Sequence, residues 1–178
     1  TLLAPGVDQL AAGVASGLGW DIVAPLPFGR ALNLAINAQP RTLADAQALL
    51  AGHDAADPAV QARAQSIRGW CERARLFQLA DRDAEIGALF EATLQAPHDE
   101  GVARHFNAAA AAQAALAGRV MVEQSDLLVG VWDNGNRDSV GGTGHTIVRA
   151  LRIGTPVLLV DPAQPGAWCI VSSTESLA

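Results

Sequence analysis

Two short aliphatic runs, DLLVGVW at 126–132 and PVLLV at 156–160, enclose a glycine cluster and a helix-like segment at about 145–153. Continuous apolar runs between turn residues are typical of strands that are buried on both faces of a parallel sheet. Parallel neighbours need a crossover connection, and the intervening segment supplies one. The pattern therefore predicts a β-loop-α-β unit, with the glycine cluster at the carboxyl end of its first strand.

The remaining chain predicts a second such unit at its start and a helical middle. We expect the end of a short strand at 1–4, helices at 5–19, 42–52, 58–74, 81–96 and 101–125, and strands at 21–28, 75–80 and 167–173. Alternating helices and strands predict an α/β fold, here a three-layer αβα sandwich with a mainly parallel sheet. No linker or repeat interrupts 1–178, so we expect a single domain. Because the chain begins with Thr1, we expect the start of the protein to be missing from it.

The composition restricts the possible partners. Half of the 178 residues are hydrophobic and 17% are charged, which is typical of a folded chain with a real core. The formal charge of −6 lacks the cationic field that attracts nucleic acid, so no nucleic-acid partner is expected. All basic residues are arginines, which excludes a Schiff-base lysine and a phosphate-loop lysine.

Metal, cofactor and membrane signals are missing from the sequence. Cys71 and Cys169 lie far apart and have no metal-ligand spacing with the histidines. We therefore expect no metal, no cofactor and two reduced, buried thiols in a cytoplasmic protein. No apolar run approaches the roughly 20 residues of a membrane span, so no membrane partner is expected.

The segment GGTGHT at 141–146 is the strongest candidate for a binding site. Glycines let a backbone approach an anion closely, and a helix N-terminus attracts negative charge. The candidate ligand-binding residues are Gly141, Gly142, Thr143, Gly144, His145 and Thr146. His145 would bind a ligand, act as an acid or base, or cap the helix. The alternative for the whole segment is a flexible turn with a threonine cap and no ligand.

Other candidates follow the predicted strands. Trp132 would stack on a base and Asp133 would bind a ribose hydroxyl, unless they are a core tryptophan and a loop-initiating aspartate. Gly6 and Asp8 occupy the loop after the first strand, where Asp8 either contacts a ligand or caps the first helix. Arg30 follows the second strand and is a candidate for a phosphate contact.

The segments SDLLVGVWD, GGTGHTIVRALRIGTPVLLVD and APGVDQLAAGVASGLGWDIVAPLPF resemble the SLOG superfamily of Rossmann-like nucleotide-binding domains, in bacterial proteins. This superfamily includes the Lonely Guy phosphoribohydrolases (lysine decarboxylase-like) and the DNA-processing protein A family. The resemblance covers roughly 1–30 and 117–161. It implies one Rossmann-like domain that holds a nucleotide or nucleotide-derived ligand, with the phosphate at 141–146.

The Lonely Guy motif P-G-G-x-G-T-x-x-E matches the glycines of this chain but not its acid. The motif places Val140 at its Pro, His145 at its Thr and Val148 at its Glu. The upstream basic residue of the family would fall at Ala117 or Gly118, with Arg119 nearby. The phosphate loop is thus present without the acid of glycosidic cleavage.

Three functions follow for this chain. The first is a module that binds a nucleotide-like small molecule without turnover. The second is an N-glycosidic hydrolase or transferase acting on nucleotides, with Asp133, Glu123 or Asp8 as the acid. The third is a structural subunit with an empty loop. No residue is assigned a catalytic role, and the Ala-rich helices are compatible with a homo-oligomer.

Overall fold

A computed structural model describes residues 1–135, 137 and 139–177. Its chain divides into two compact units, Thr1–Ala110 and Ala111–Ala178. Among the described residues there are seven α-helices, five strands and one 3₁₀ helix, arranged as a mixed α/β structure with two small sheets. Within the same residues, none of the helices combines the length and the apolar character needed to cross a membrane.

The first unit is mostly helical and contains a two-stranded parallel sheet. Its elements are α1 (Val7–Gly17), β1 (Val23–Leu26), α2 (Arg30–Ala38), α3 (Leu43–Leu50), α4 (Pro58–Arg73), β2 (Arg75–Gln78), α5 (Asp83–Gln95) and the first part of α6 (Glu100–Glu123). Strands β1 and β2 pair in register from Val23↔Arg75 to Leu26↔Gln78. The helices bury Leu32, Leu34, Leu49, Ile67 and Ile86 against this sheet in one hydrophobic core.

Local sequence signals explain where two of these helices begin. The Thr42 hydroxyl oxygen accepts a hydrogen bond from the Asp45 backbone N–H at the start of α3. At α4, Asp57 accepts from two backbone N–H groups, and Pro58 occupies the first helical position. The buried Asp45 carboxylate also accepts hydrogen bonds from the N–H groups of Ala56 and Asp57, so it ties the start of α3 to the start of α4.

The second unit contains the predicted β-loop-α-β segment. Its elements are the rest of α6, β3 (Leu128–Val131), α7 (Thr143–Arg152), β4 (Val157–Asp161), β5 (Gln164–Val171) and a 3₁₀ helix (Thr174–Leu177). Strands β3 and β4 are parallel, from Leu128↔Val157 to Val131↔Val160, and β5 is antiparallel to β4. The core of this unit comprises Val122, Leu128, Trp132, Ile147, Ala150, Leu151, Val157, Val171 and Leu177.

The helices and strands expected from residue 5 onward are confirmed, with shifted ends, whereas α2 and the 3₁₀ helix were not expected. The expected strand at 1–4 is wrong, because this segment has no strand pairing and Leu3 has a φ of 55°. The expectation that the strands are buried on both faces of the sheet is also wrong for the second unit. Val129 is 60% exposed, and β5 is exposed up to its last residue, Val171. One mainly parallel sheet is not confirmed, since the described strands form two small sheets.

Candidate functional site

The glycine cluster lies between β3 and α7, as the sequence predicts. Gly141 has a φ of +76°, and a Cβ atom placed on it would lie 2.7 Å from the carbonyl oxygen of Ala111 and 3.1 Å from Ala114 Cβ. Both contacts belong to α6, whose backbone cannot move away locally. Gly141 therefore has a structural role, because only glycine allows the loop to turn this close to the helix.

Helix α7 begins without a side-chain cap among the described residues. Gly142 is its N-cap, and the Gly142 N–H donates to the Ser139 carbonyl oxygen at 2.9 Å. The Thr146 hydroxyl donates back to the Gly142 carbonyl at 3.1 Å. Thr143 is exposed and Gly144 is buried in the first turn. The alternative of a threonine cap is therefore wrong. No described side chain compensates the positive end of the helix dipole at the start of α7.

A cavity of about 370 Å³ lies beside α7 in the second unit. It is lined by Arg137, His145, Val148, Arg152, Thr174 and Leu177. His145, Val148 and Arg152 are spaced by three and four residues, so they share one face of the helix. Of the six candidate residues at 141–146, His145 is the one that lines this cavity. The opening thus lies along the flank of α7, not across the glycines.

The lining of this cavity is cationic. The Arg137 guanidinium lies over the Trp132 ring, 5.7 Å from the ring centroid. It donates hydrogen bonds to Asn134 Oδ1 at 3.2 Å and to the Leu177 carbonyl oxygen. Arg152 is exposed and has no ion pair within residues 1–135, 137 and 139–177. Because the described lining contains no carboxylate, the cavity is electrostatically suited to an anion.

A second cavity of about 220 Å³ contains the two candidates at the end of β3, Trp132 and Asp133. Trp132 is 7% exposed and belongs to the core, which fits its alternative interpretation as a core residue. The Asp133 carboxylate accepts a hydrogen bond from the Gly135 N–H at 3.0 Å. Asp161, across the same cavity, accepts one from the Ala163 N–H. Leu177 lines both cavities, so they adjoin each other.

Gly6 and Asp8 belong to the first unit. Gly6 is the N-cap of α1, and no described side chain caps that helix. The Asp8 carboxylate instead accepts a hydrogen bond from the Leu2 N–H at 3.0 Å. The alternative that Asp8 caps α1 is therefore wrong.

The N-terminus of α2 follows β1 and carries Arg30. Asp83 accepts a hydrogen bond from the Gly29 N–H at 2.9 Å, and Gln78 accepts one from the Arg30 N–H at 2.7 Å. These side chains occupy the N–H groups that an anion would otherwise bind. The Arg30 guanidinium lies 3.7 Å from an oxygen of Glu72 on the surface.

Asp83 lies in the first turn of α5 and is partly buried. Its Oδ1 atom is buried and has no hydrogen-bond partner among the described residues. Burial raises the pKa of this carboxyl, against the lowering effect of the Gly29 N–H. A carboxylate that caps a helix 54 residues earlier in the chain leaves no local sequence signal.

Glu123, a candidate acid, lines neither cavity. Its carboxylate accepts hydrogen bonds from Arg119 at 2.8 Å and from Arg149 at 3.0 Å. These two hydrogen bonds hold the pKa of Glu123 below its usual value, so it stays ionised at neutral pH. An ionised, paired carboxylate is a poor proton donor for glycosidic cleavage.

The sequence did not identify Arg137, Arg152 and Thr174 as site residues. A partial signal existed for Arg152, which follows His145 by seven residues and so shares its helix face. Among the described residues no group of three or more metal-ligating side chains is found. Both cysteines are free thiols, and Cys71 is buried as expected. The expectation of a buried thiol is wrong for Cys169, which lies on the exposed strand β5.

Comparison of the chain with protein-family models, with curated proteins and with solved structures found no match in any of the three.

Proposed function

We propose that the second unit binds a nucleotide or a nucleotide-derived small molecule, whose phosphate or carboxylate enters the cavity beside α7. The observation that carries this proposal is the cationic lining by Arg137 and Arg152, without a carboxylate among the described lining residues. Guanidinium groups bind planar or tetrahedral oxyanions through paired hydrogen bonds.

The proposal extends to the detailed architecture of the sheet and to the family of the chain. A three-layer, mainly parallel Rossmann-like sheet and membership of the SLOG superfamily are both compatible with the parallel β3-α7-β4 unit. In this fold class, ligands bind beyond the carboxyl ends of the strands, and the loop after β3 is at such an end.

Binding without cleavage is favoured over hydrolase or transferase activity. Val148 occupies the position of the Lonely Guy glutamate and contributes an apolar side chain to the cavity. The three acids that the sequence suggested each accept hydrogen bonds from other groups. Glu123 accepts them from two arginines, Asp133 from the Gly135 N–H and Asp8 from the Leu2 N–H. Among the described lining residues, a glycosidic bond in this cavity would meet no carboxylic acid, and His145 is the one candidate left for proton transfer.

Calorimetric titration of the purified chain tests the proposal with AMP, ADP-ribose and NAD. Adenosine is the matched ligand without phosphate, and it should bind at least tenfold more weakly than AMP. Arg152→Gln removes one charged hydrogen-bond donor, worth about 1.5–3 kcal/mol, or roughly a 10- to 150-fold loss of affinity for the anionic ligand. Arg41→Gln, at an exposed position of the first unit, removes the same charge and should leave the affinity unchanged.

Two affinity results would contradict the recognition of an anion. Equal affinity for AMP and adenosine would show that no anion is recognised, and so would an Arg152→Gln variant that binds like the parent chain. The same incubations are analysed by chromatography for released base. Free adenine from AMP would refute binding without turnover and support the N-glycosidic alternative. No binding by any of the ligands would support a structural subunit.

A further inference from the structure

Helix α1 presents an apolar stripe to the solvent. The stripe consists of Val7, Leu10, Val14 and Leu18, which are spaced by three, four and four residues and therefore share one face of the helix. These side chains are between 48% and 70% exposed. Trp20, just beyond the end of the helix, is 68% exposed. A surface helix normally turns its polar face to the solvent, whereas α1 turns an apolar face to it.

The opposite face of α1 holds the helix on the first unit. Ala12 is buried there, and the Gln9 amide donates to the Leu3 carbonyl oxygen at 3.2 Å. The Ser66 hydroxyl of α4 donates to Gln9 Oε1 at 3.1 Å. Gly13 faces the Trp70 ring of α4, which would lie 3.8 Å from a Cβ atom placed on this glycine. These polar contacts and small residues hold the opposite face of α1 against the first unit. The stripe is exposed for that reason.

The size of the stripe is compatible with an interaction surface. Its four side chains expose roughly 400 Å², or about 600 Å² with Trp20, which is the size of the largest apolar patch on a typical monomer. If two copies covered this surface on each other, about 800–1,200 Å² would be buried, at the lower end of specific interfaces. Interfaces of this size are typical of weak or transient association and not of obligate dimers.

The chemistry of α1 favours a second copy over a membrane. Helices that lie on membranes carry Lys or Arg on their polar face, whereas α1 contains no basic residue. The formal charge of −6 also opposes an anionic lipid surface. The stripe itself contains no charge, so two copies can meet without burying an unpaired ion. Ala11 and Gly17 lie on the same face and allow close approach of two helices.

We infer that α1 is a homodimer interface, in which the stripes of two copies pack against each other across a two-fold axis. Such an interface is isologous, because the same surface is used by both protomers. Leu10 and Val14 lie at the middle of the stripe and face their counterparts near the axis. This inference is independent of the ligand cavity in the second unit.

Sedimentation equilibrium of the full chain, from about 1 to 200 µM, tests this interface over a wide range of concentration, as a weak association requires. The mass should rise toward twice 18.4 kDa with concentration. Val14→Lys places two like charges near the axis and should keep the chain monomeric throughout. Val129→Lys is the matched control, since Val14 and Val129 are each 60% exposed. It should sediment like the parent chain.

A charge-reversal experiment separates a lost interface from a misfolded variant. Val14→Glu alone should also be monomeric, but an equimolar mixture of Val14→Glu and Val14→Lys should regain the mass of a dimer. The inference is overturned if the parent chain remains at 18.4 kDa at every concentration. It is also overturned if Val129→Lys, and not Val14→Lys, dissociates the dimer, or if the mixture fails to associate while both variants retain the helical circular dichroism of the parent.

Discussion

Gly141→Ala should destabilise the second unit by more than an ordinary turn substitution does. The residue has a φ of +76°, and an L-residue in this region costs about 1–2 kcal/mol. The new Cβ would also lie 2.7 Å from the Ala111 carbonyl oxygen, which is rigid helix backbone. Overpacking of this kind costs roughly 1–3 kcal/mol. The two contributions together predict a loss of about 2–5 kcal/mol in the free energy of unfolding.

Gly154→Ala isolates the two contributions. Gly154 has a similar φ of +87°, but a Cβ atom placed on it would have nothing within 4 Å, so its substitution incurs backbone strain alone. The difference between the variants should therefore equal the packing cost, about 1–3 kcal/mol. Both glycines belong to the second unit, so the same unfolding transition reports on both.

Urea unfolding followed by tryptophan fluorescence measures this difference, because Trp132 is buried in the core of the second unit. With a slope of about 1–3 kcal/mol per molar urea, the midpoint of Gly141→Ala should lie roughly 1 M below that of Gly154→Ala. Equal midpoints at equal slopes would refute the reasoning, because they would mean that the loop does not approach α6 closely. A Gly141→Ala variant as stable as the parent would refute the backbone strain as well.

Four further outcomes follow from the charged and thiol groups. Glu123→Gln should lower the melting temperature at pH 7, and this loss should fade as the pH falls below 4.5, because the pKa of Glu123 is depressed by its arginine partners in the folded state. Asp83→Ala should cost about 1 kcal/mol by leaving the Gly29 N–H without its acceptor. Asp83→Asn keeps an acceptor and should instead stabilise the chain at pH 7 but not at pH 3. Burial raises the pKa of the Asp83 carboxyl, so its ionisation above the usual pKa of 3.8 weakens the fold, and asparagine avoids this cost. Thermal unfolding at both pH values checks the sign. Cys169 should react at once with a thiol reagent, whereas Cys71, whose pKa is raised by burial, should react only on unfolding.

The periodicity of apolar residues predicted most helices and strands, but it did not reveal α2. That helix spans nine residues and is capped by side chains from far along the chain: Asp83 binds the Gly29 N–H and Gln78 binds the Arg30 N–H. Neither cap is visible in the local sequence. The exposure of Val129 was missed for a similar reason, because an aliphatic strand reads the same whether one or both faces of its sheet are covered.

Local residues were sufficient to predict the strand, the glycine turn and the helix from 126 to 160, because backbone preferences depend on immediate neighbours. The net charge of −6 likewise follows from the sequence alone. The composition of the cavity was not, since Arg137, Arg152 and Thr174 come from a loop, a helix end and a 3₁₀ helix that meet only through folding. The outward direction of the α1 stripe likewise depends on packing, because an amphipathic helix does not itself specify which face the rest of the unit will cover.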